Sequence, residues 1–306
     1  MNGARALLAS ALAATVLSAV AGAQTSLPHH SGPTPVSQHT THLPAAASQG
    51  ALVIGRSHPA AKVTYLNPQL ADDPPAARRA LRVDPAGRFV FGIGRDQRQP
   101  VEIEIRHADG HIERHSIPIT ARGWPVERIR GVPPATIDPP PAIAARIARE
   151  QAQVAAVRSR DDGRSDFAEA FAWPVRGRIS GRFGNQRVYV RPDGRDVPKS
   201  PHSGMDIAAA NGTPVLAPAA GIVTFARGGL YLTGGTLVLD HGAGVSSNFL
   251  HLSRIDVQPG DRVVRGQRIA AVGATGRATG PHLHWGMNWF DSRIDPLLVL
   301  DAATGN

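Results

Sequence analysis

From residue 166 onward, apolar residues come in short runs closed by glycine or proline: 213–216, 221–225, 236–239, 261–264 and 269–272. Such runs are too short to complete an amphipathic helix but long enough to make strands, which argues for closely turned β structure in this region. The stretch 50–122 carries the same signature. Ala51-Leu52-Val53-Ile54 and Arg88-Phe89-Val90-Phe91-Gly92-Ile93 are apolar, and Val101, Ile103 and Ile105 alternate with polar residues before Asp109-Gly110. Keeping one face apolar after that turn pairs Ile103 with Ile117 and Val101 with Ile119. This predicts a longer turn with Gly110 in the left-handed conformation.

Between the two β regions, Pro139-Pro140-Pro141 opens a helical pattern over about 141–160. Ile143, Ile147, Val154 and Val157 fall near one face, with Arg146, Arg149 and Arg158 around it. The pattern suits a connecting helix packed on a domain; a basic helix lying on a membrane is the alternative. The expected fold class is mainly β: a C-terminal antiparallel β-sheet domain (166–306), preceded by a small β-sandwich domain (49–135) and a linker helix (136–165).

The N-terminus reads as a signal peptide over 1–23, with Arg5, an apolar stretch from Ala6 to Val20, and Ala21-Gly22-Ala23 as cleavage site. An uncleaved anchor is the alternative, although the apolar stretch is short for a membrane span. Residues 24–48, rich in Ser, Thr, Pro, His and Ala, are expected to be disordered. Their His29, His30, His39 and His42 fit a polar low-complexity tract better than a metal scavenger. With no cysteine, each domain must be held by its core or by metal. These features predict a periplasmic or secreted protein with no membrane insertion after signal cleavage. The charge of +9 comes almost wholly from arginine, Lys62 and Lys199 being the only lysines. It suits anionic polymers without selecting one, and gives nucleic acid no specific support.

Chemistry concentrates in three places: His202-Ser203-Gly204-Met205-Asp206, Phe249-Leu250-His251, and Pro281-His282-Leu283-His284-Trp285. On a strand, His282 and His284 share a face while Leu283 points away. His202 and Asp206 have helical spacing, but Gly204 and Pro201 favour a loop running into a strand. Two histidines and a carboxylate leave a fourth tetrahedral position for water, as at catalytic zinc. Spacing alone lets either or both of His282 and His284 bind the metal.

In this order the residues resemble the lysostaphin/LytM-type zinc metallo-endopeptidases, which cut peptides of peptidoglycan. The resemblance spans about 173–299. It includes Gly-Arg-Phe-Gly at 181–184, Asn211-Gly212-Thr213-Pro214-Val215, Leu239-Asp240-His241-Gly242, Pro259-Gly260-Asp261, Gly266-Gln267 and Gly273-Ala274-Thr275-Gly276. It implies one Zn2+ held by His202, Asp206 and His284, with His251 and His282 as unligated catalytic histidines, and peptidoglycan as substrate. His241 fits a structural turn histidine. The family's usual tyrosine two residues before the central histidine is Phe249 here; Tyr189 and Tyr231 are candidates to supply a hydroxyl to the cleft. The insertion 185–200 is expected to form a loop at the cleft rim.

Family members that have lost ligands regulate wall amidases, which makes cell-wall or division proteins the alternative partners. All five positions are present here, favouring catalysis. A lipoyl- or biotin-carrier module, which shares the 259–261 and 266–267 turns, needs a hairpin-tip lysine, and none follows Lys199.

Overall fold

The strand His282–Trp289 reads His-Leu-His-Trp-Gly-Met-Asn-Trp, so alternate Cβ directions divide it into a polar face and an apolar one. In the computed structural model, which describes residues 40–302, that division organises the largest sheet. Its order is Arg178–Gly181, Met205–Ala208, His282–Trp289, Val245–Leu252, Gly234–Asp240, Gly221–Leu230 and Arg262–Val263, with Ser292–Ile294 folded back on His282–Trp289. Every pairing is antiparallel. Asp206 and Leu250 flank His284 in register, and Asn248 flanks Gly286, which gathers the polar positions of three strands on one face. On the other face Met205, Ile207, Phe249, Leu283, Trp285 and Met287 are buried. A small sheet of Pro214–Leu216, Arg268–Ala271 and Arg254–Ile255 completes the C-terminal region.

The fold is mainly β, as expected from the sequence. In the N-terminal region Arg78–Leu81, Lys62–Leu66, Val101–Arg106 and Ile112–Ile117 form one antiparallel sheet, and Leu52–Arg56 pairs with Arg88–Gly92. Val63, Tyr65, Phe89, Phe91, Ile103 and Ile105 fill its interior. That interior is continuous with the core of the large sheet: Tyr65 meets Trp289 edge-on at 5.1 Å. A Cβ on Gly92 would come within 2.7 Å of Trp289. Residues 40–302 belong to one compact unit.

Three details differ from the sequence reading. The 101–117 hairpin pairs Val101 with Ile117 and Ile103 with His115, two residues away from the expected register and with the same face inward. Gly110 is left-handed as expected (φ 89°), but the turn closes from His107 to His111. The apolar criterion misleads because Ile112–Ile117 is an edge strand, where Glu113 and His115 can face inward and bond each other at 2.9 Å. The insertion 185–200 is not a loop. Gln186–Val190 and Asp196–Pro198 form a hairpin, and Val126–Ile129 adds to it in parallel.

Of the segment expected to lack structure, Ala47–Ser48 pairs in parallel with Ile119–Thr120 and His42 bridges to Arg56. The signal-peptide stretch, residues 24–39 and His29, His30 and His39 lie outside the described residues. The helix Pro141–Val157 starts with a proline, whose missing N–H costs nothing in the first turn. The helix packs on the C-terminal region as expected, Arg146 donating to Gly229 O at 2.7 Å and Tyr231 N–H to Glu150 at 2.8 Å; Ile143, Ile147, Val154 and Val157 are half-buried, and Glu150 is buried beside the cavity. Among the described residues no helix is long and apolar enough to cross a membrane.

Candidate metal centre and cleft

Three chain segments converge on the polar face. The loop before Met205–Ala208 is tied down by Gly184 N–H to His202 O and His202 N–H to Asn185 O, each 2.9 Å. It then runs so close to the neighbouring strand that a Cβ on Gly204 would lie 2.5 Å from Trp285 O and 2.7 Å from His284 Nε2. Only glycine permits that approach, which carries His202 over Asp206 and His284. The resulting triangle is tight: His202 Nε2 to His284 Nδ1 is 3.0 Å, His284 Nδ1 to Asp206 Oδ1 2.8 Å, and His202 Nε2 to Asp206 Oδ1 3.1 Å.

These are the only three or more His, Cys, Asp or Glu donors among the described residues grouped closely enough for a metal ion. Tetrahedral zinc with bonds near ~2.0 Å needs donor separations of about 3.3 Å, so a slight expansion accommodates it. The donor chemistry also fits. His202 donates Nδ1–H to Arg182 O at 3.0 Å, leaving Nε2 as a lone pair. Burial pushes His284 down to about 4 against the pull of Asp206, keeping the ring neutral. Burial alone would raise the Asp206 carboxyl, but the polar contacts of the His202 and His284 rings outweigh it and hold it well below the usual range. A carboxylate with two neutral imidazoles is the state that binds a divalent ion.

The other two histidines stand beside the triangle. His251 donates Nδ1–H to Thr275 O and His282 donates Nδ1–H to Gly280 O, both at 2.8 Å. A carbonyl oxygen only accepts, so each ring keeps Nε2 free. Their ring centroids are 4.7 Å apart, and His282 Nε2 is 3.9 Å from Asp206 Oδ1. His251 holds a left-handed backbone (φ 63°), pinned by its N–H to Thr233 O at 2.9 Å. Burial, then the charges of His282 and His284, pushes its pKa down to about 3. His241 is elsewhere, buried between Ala220 O (2.7 Å) and Ser247 Oγ (2.8 Å), in a structural setting. Phe249 is fully buried on the opposite face of the sheet, so its lack of a hydroxyl does not reach the cleft. Tyr189 lines the cavity; Tyr231 instead meets Ala135 O at 3.4 Å.

Sequence reasoning missed Arg187. Its guanidinium bonds Asp206 Oδ2, and across the parallel pair it faces Glu127 at 3.7 Å. Asn185 Nδ2 donates to the same Glu127 at 2.6 Å. No local motif marks Arg187, because its contact depends on how the 186–198 hairpin folds back.

The cleft opens into a cavity of about 1050 Å3 whose floor includes Thr236, Asn248 and Leu250 and whose roof includes the 141–157 helix. Residues 132–137 lie against its lining. Lys199 Nζ donates to Ile137 O at 2.7 Å, with Val132 and Ile137 packed on Tyr189. Arg277 donates to Thr136 O at 3.4 Å, and its guanidinium lies 4.9 Å from the same Tyr189 ring.

The model of peptidase family M23 matches residues 200–296, which hold all five site residues. A solved structure described as a putative peptidase M23 from Pseudomonas aeruginosa is 30% identical, with a TM-score of 0.60; the match covers 83% of this chain and 95% of that one. The chain belongs to peptidase family M23. Peptidoglycan DD-endopeptidase ShyA of Vibrio cholerae is 44% identical over 108 residues, 35% of this chain and 24% of that protein. Cell division protein DipM of Caulobacter vibrioides is 33% identical over 136 residues, 42% of this chain and 21% of that protein. The likeness to these two M23 relatives thus spans less than a quarter of their own length.

Proposed function

We propose that this M23 protein is a zinc-dependent endopeptidase that hydrolyses peptide bonds in peptidoglycan stem peptides or cross-links, acting after export in the periplasm or outside the cell. The observation that carries the reading is the convergence of His202, Asp206 and His284 beside two histidines whose Nδ1–H groups are already committed to carbonyls. Zinc held by those three residues supplies polarisation of a carbonyl and acidification of water. His251 and His282 then act through Nε2, one taking a proton from the attacking water and one stabilising or protonating the reacting atoms. Arg187 neutralises the outer carboxylate oxygen of Asp206 and fixes its orientation. The bond favoured is the D-alanyl–diaminopimelate cross-link, in keeping with the DD-endopeptidase name of ShyA. The 49–135 segment and the 136–165 linker are assigned to covering or targeting the 166–306 peptidase region.

Purified walls of different chemistry, incubated with zinc-loaded protein, should release peptides identifiable by mass spectrometry. Release should stop on chelation and in His284→Ala. Absence of products from every wall, with zinc bound stoichiometrically, would exclude the enzyme. The name of DipM, a division protein, favours as second reading a non-enzymatic activator of wall amidases. That reading requires amidase stimulation that survives His284→Ala.

A further inference from the structure

The cavity does not end at the metal centre. Its far end is lined by Arg158, at the C-terminal end of the 141–157 helix, and by Arg293 of Ser292–Ile294. The Arg158 side chain is only 10% exposed, and its Nε is buried without a partner. The one acid paired with it among the described residues, Asp291, lies 3.6 Å away and is 93% exposed, which makes it a solvated and weak counter-ion. Arg293 spends one donor on Asn288 Oδ1 at 2.5 Å. Burial, then the charge of Arg158, brings Arg293 down to about 10, so both guanidiniums remain charged at neutral pH.

Two buried like charges facing one cavity are unfavourable unless an anion lies between them. The rest of the wall adds to the attraction: six Arg and Lys side chains line the cavity against three Asp and Glu. We propose that Arg158 and Arg293 form a carboxylate-binding subsite for the peptide whose scissile bond lies at the metal centre. The proposal rests on the peptidase reading above and names a feature of its substrate.

The position of the subsite specifies the ligand further. Asn288, which holds Arg293, is four residues beyond His284 on the same strand and the same face. At ~3.4 Å per strand residue the two ends are about 14 Å apart. An extended peptide covers that distance with about four residues. Asn288 is itself held by Asn248 Oδ1 (3.1 Å) and Ser246 Oγ (3.2 Å), which fixes its carbonyl oxygen towards Arg293. Asn248 and Thr236 on the floor provide polar groups for the peptide between the two ends. A guanidinium pair favours a planar carboxylate, which can accept two parallel N–H bonds.

The test uses paired peptides that place either a free carboxylate or its amide four residues from the bond to be cut. Binding is measured by calorimetry to the zinc-loaded full chain carrying His282→Ala, and cleavage is measured with the wild type. The acid form should bind about 10- to 100-fold more tightly than the amide. Arg293→Gln and Arg158→Gln, each placed in the same background, should bring that ratio close to one, and Arg158→Lys should recover part of it. Equal binding of acid and amide by the unaltered arginine pair overturns the subsite without recourse to any variant. An intact acid preference without cleavage by the wild type supports the subsite and overturns the peptidase reading alone.

Discussion

The N-terminal strands and the large sheet follow the same alternation but place their polar residues differently. In the N-terminal region, Glu104 on Val101–Arg106 pairs across the strand with Arg114 at 2.9 Å, in contact with solvent. On the large sheet and the loop leading into it, His202, Asp206, Thr236, Asn248, His284 and Asn288 are polar and buried. Burying such groups is costly unless each is bonded, so they must be held by an organised network. Here the network is the metal triangle at one end and the Ser246–Asn248–Asn288–Arg293 chain at the other. One region uses the β pattern to build a core. The other uses it to build a floor for chemistry.

The sharpest way to break this contrast is to alter the floor without touching the core. His282→Ala should reduce cleavage by about 10²- to 10⁴-fold while leaving zinc content unchanged. Loss of zinc in that variant would mean that His282, not only His284, is a ligand. Phe91→Ala acts on the core that the two regions share and should cost about 3–5 kcal/mol in a urea titration. Because that core is continuous with Trp289, the whole of 40–302 should unfold in one transition, and two separated transitions would refute the continuity.

The buried polar positions should also give the C-terminal region its acid sensitivity. Burial lowers the pKa of His241 to about 4 in the folded chain. The unfolded chain therefore takes up the proton first as pH falls. Stability from this residue is fully present above about pH 6.5 and declines towards pH 4, by roughly 3 kcal/mol at full extent. His241→Asn should flatten the slope of stability over that window, measured by denaturant midpoint. An unchanged slope would show that the ring is not the titrating group. The smallest effects compare two arginine–carboxylate pairs. Arg187→Ala should weaken zinc binding by about 10- to 100-fold in a chelator competition. Arg114→Ala, on a side chain that is 67% exposed, should change stability by less than about 1 kcal/mol.

The residues of the triangle were legible as short motifs whose strand or loop setting the flanking Gly and Pro betray, but the choice of His284 over His282 came from the resemblance to a family, because spacing left both open. The even-numbered positions of His282–Trp289 show in the sequence as a polar row, and this row became the floor. Elements at sheet margins were not legible. Ile112–Ile117 tolerates polar residues on its inner side, so the apolar criterion chose the wrong register. The parallel addition of Val126–Ile129 to Gln186–Val190 joins segments about sixty residues apart in sequence and obeys no local pattern. Arg187 and Glu127 were invisible for that reason.

Residues 132–137 are held against the cavity by Lys199, Tyr231 and Arg277. All three bonds end on backbone carbonyls, and two of them are 3.4 Å long. Such bonds contribute about 1 kcal/mol or less each. The segment is therefore a latch rather than a wall: it can lift while the sheet beneath it stays folded.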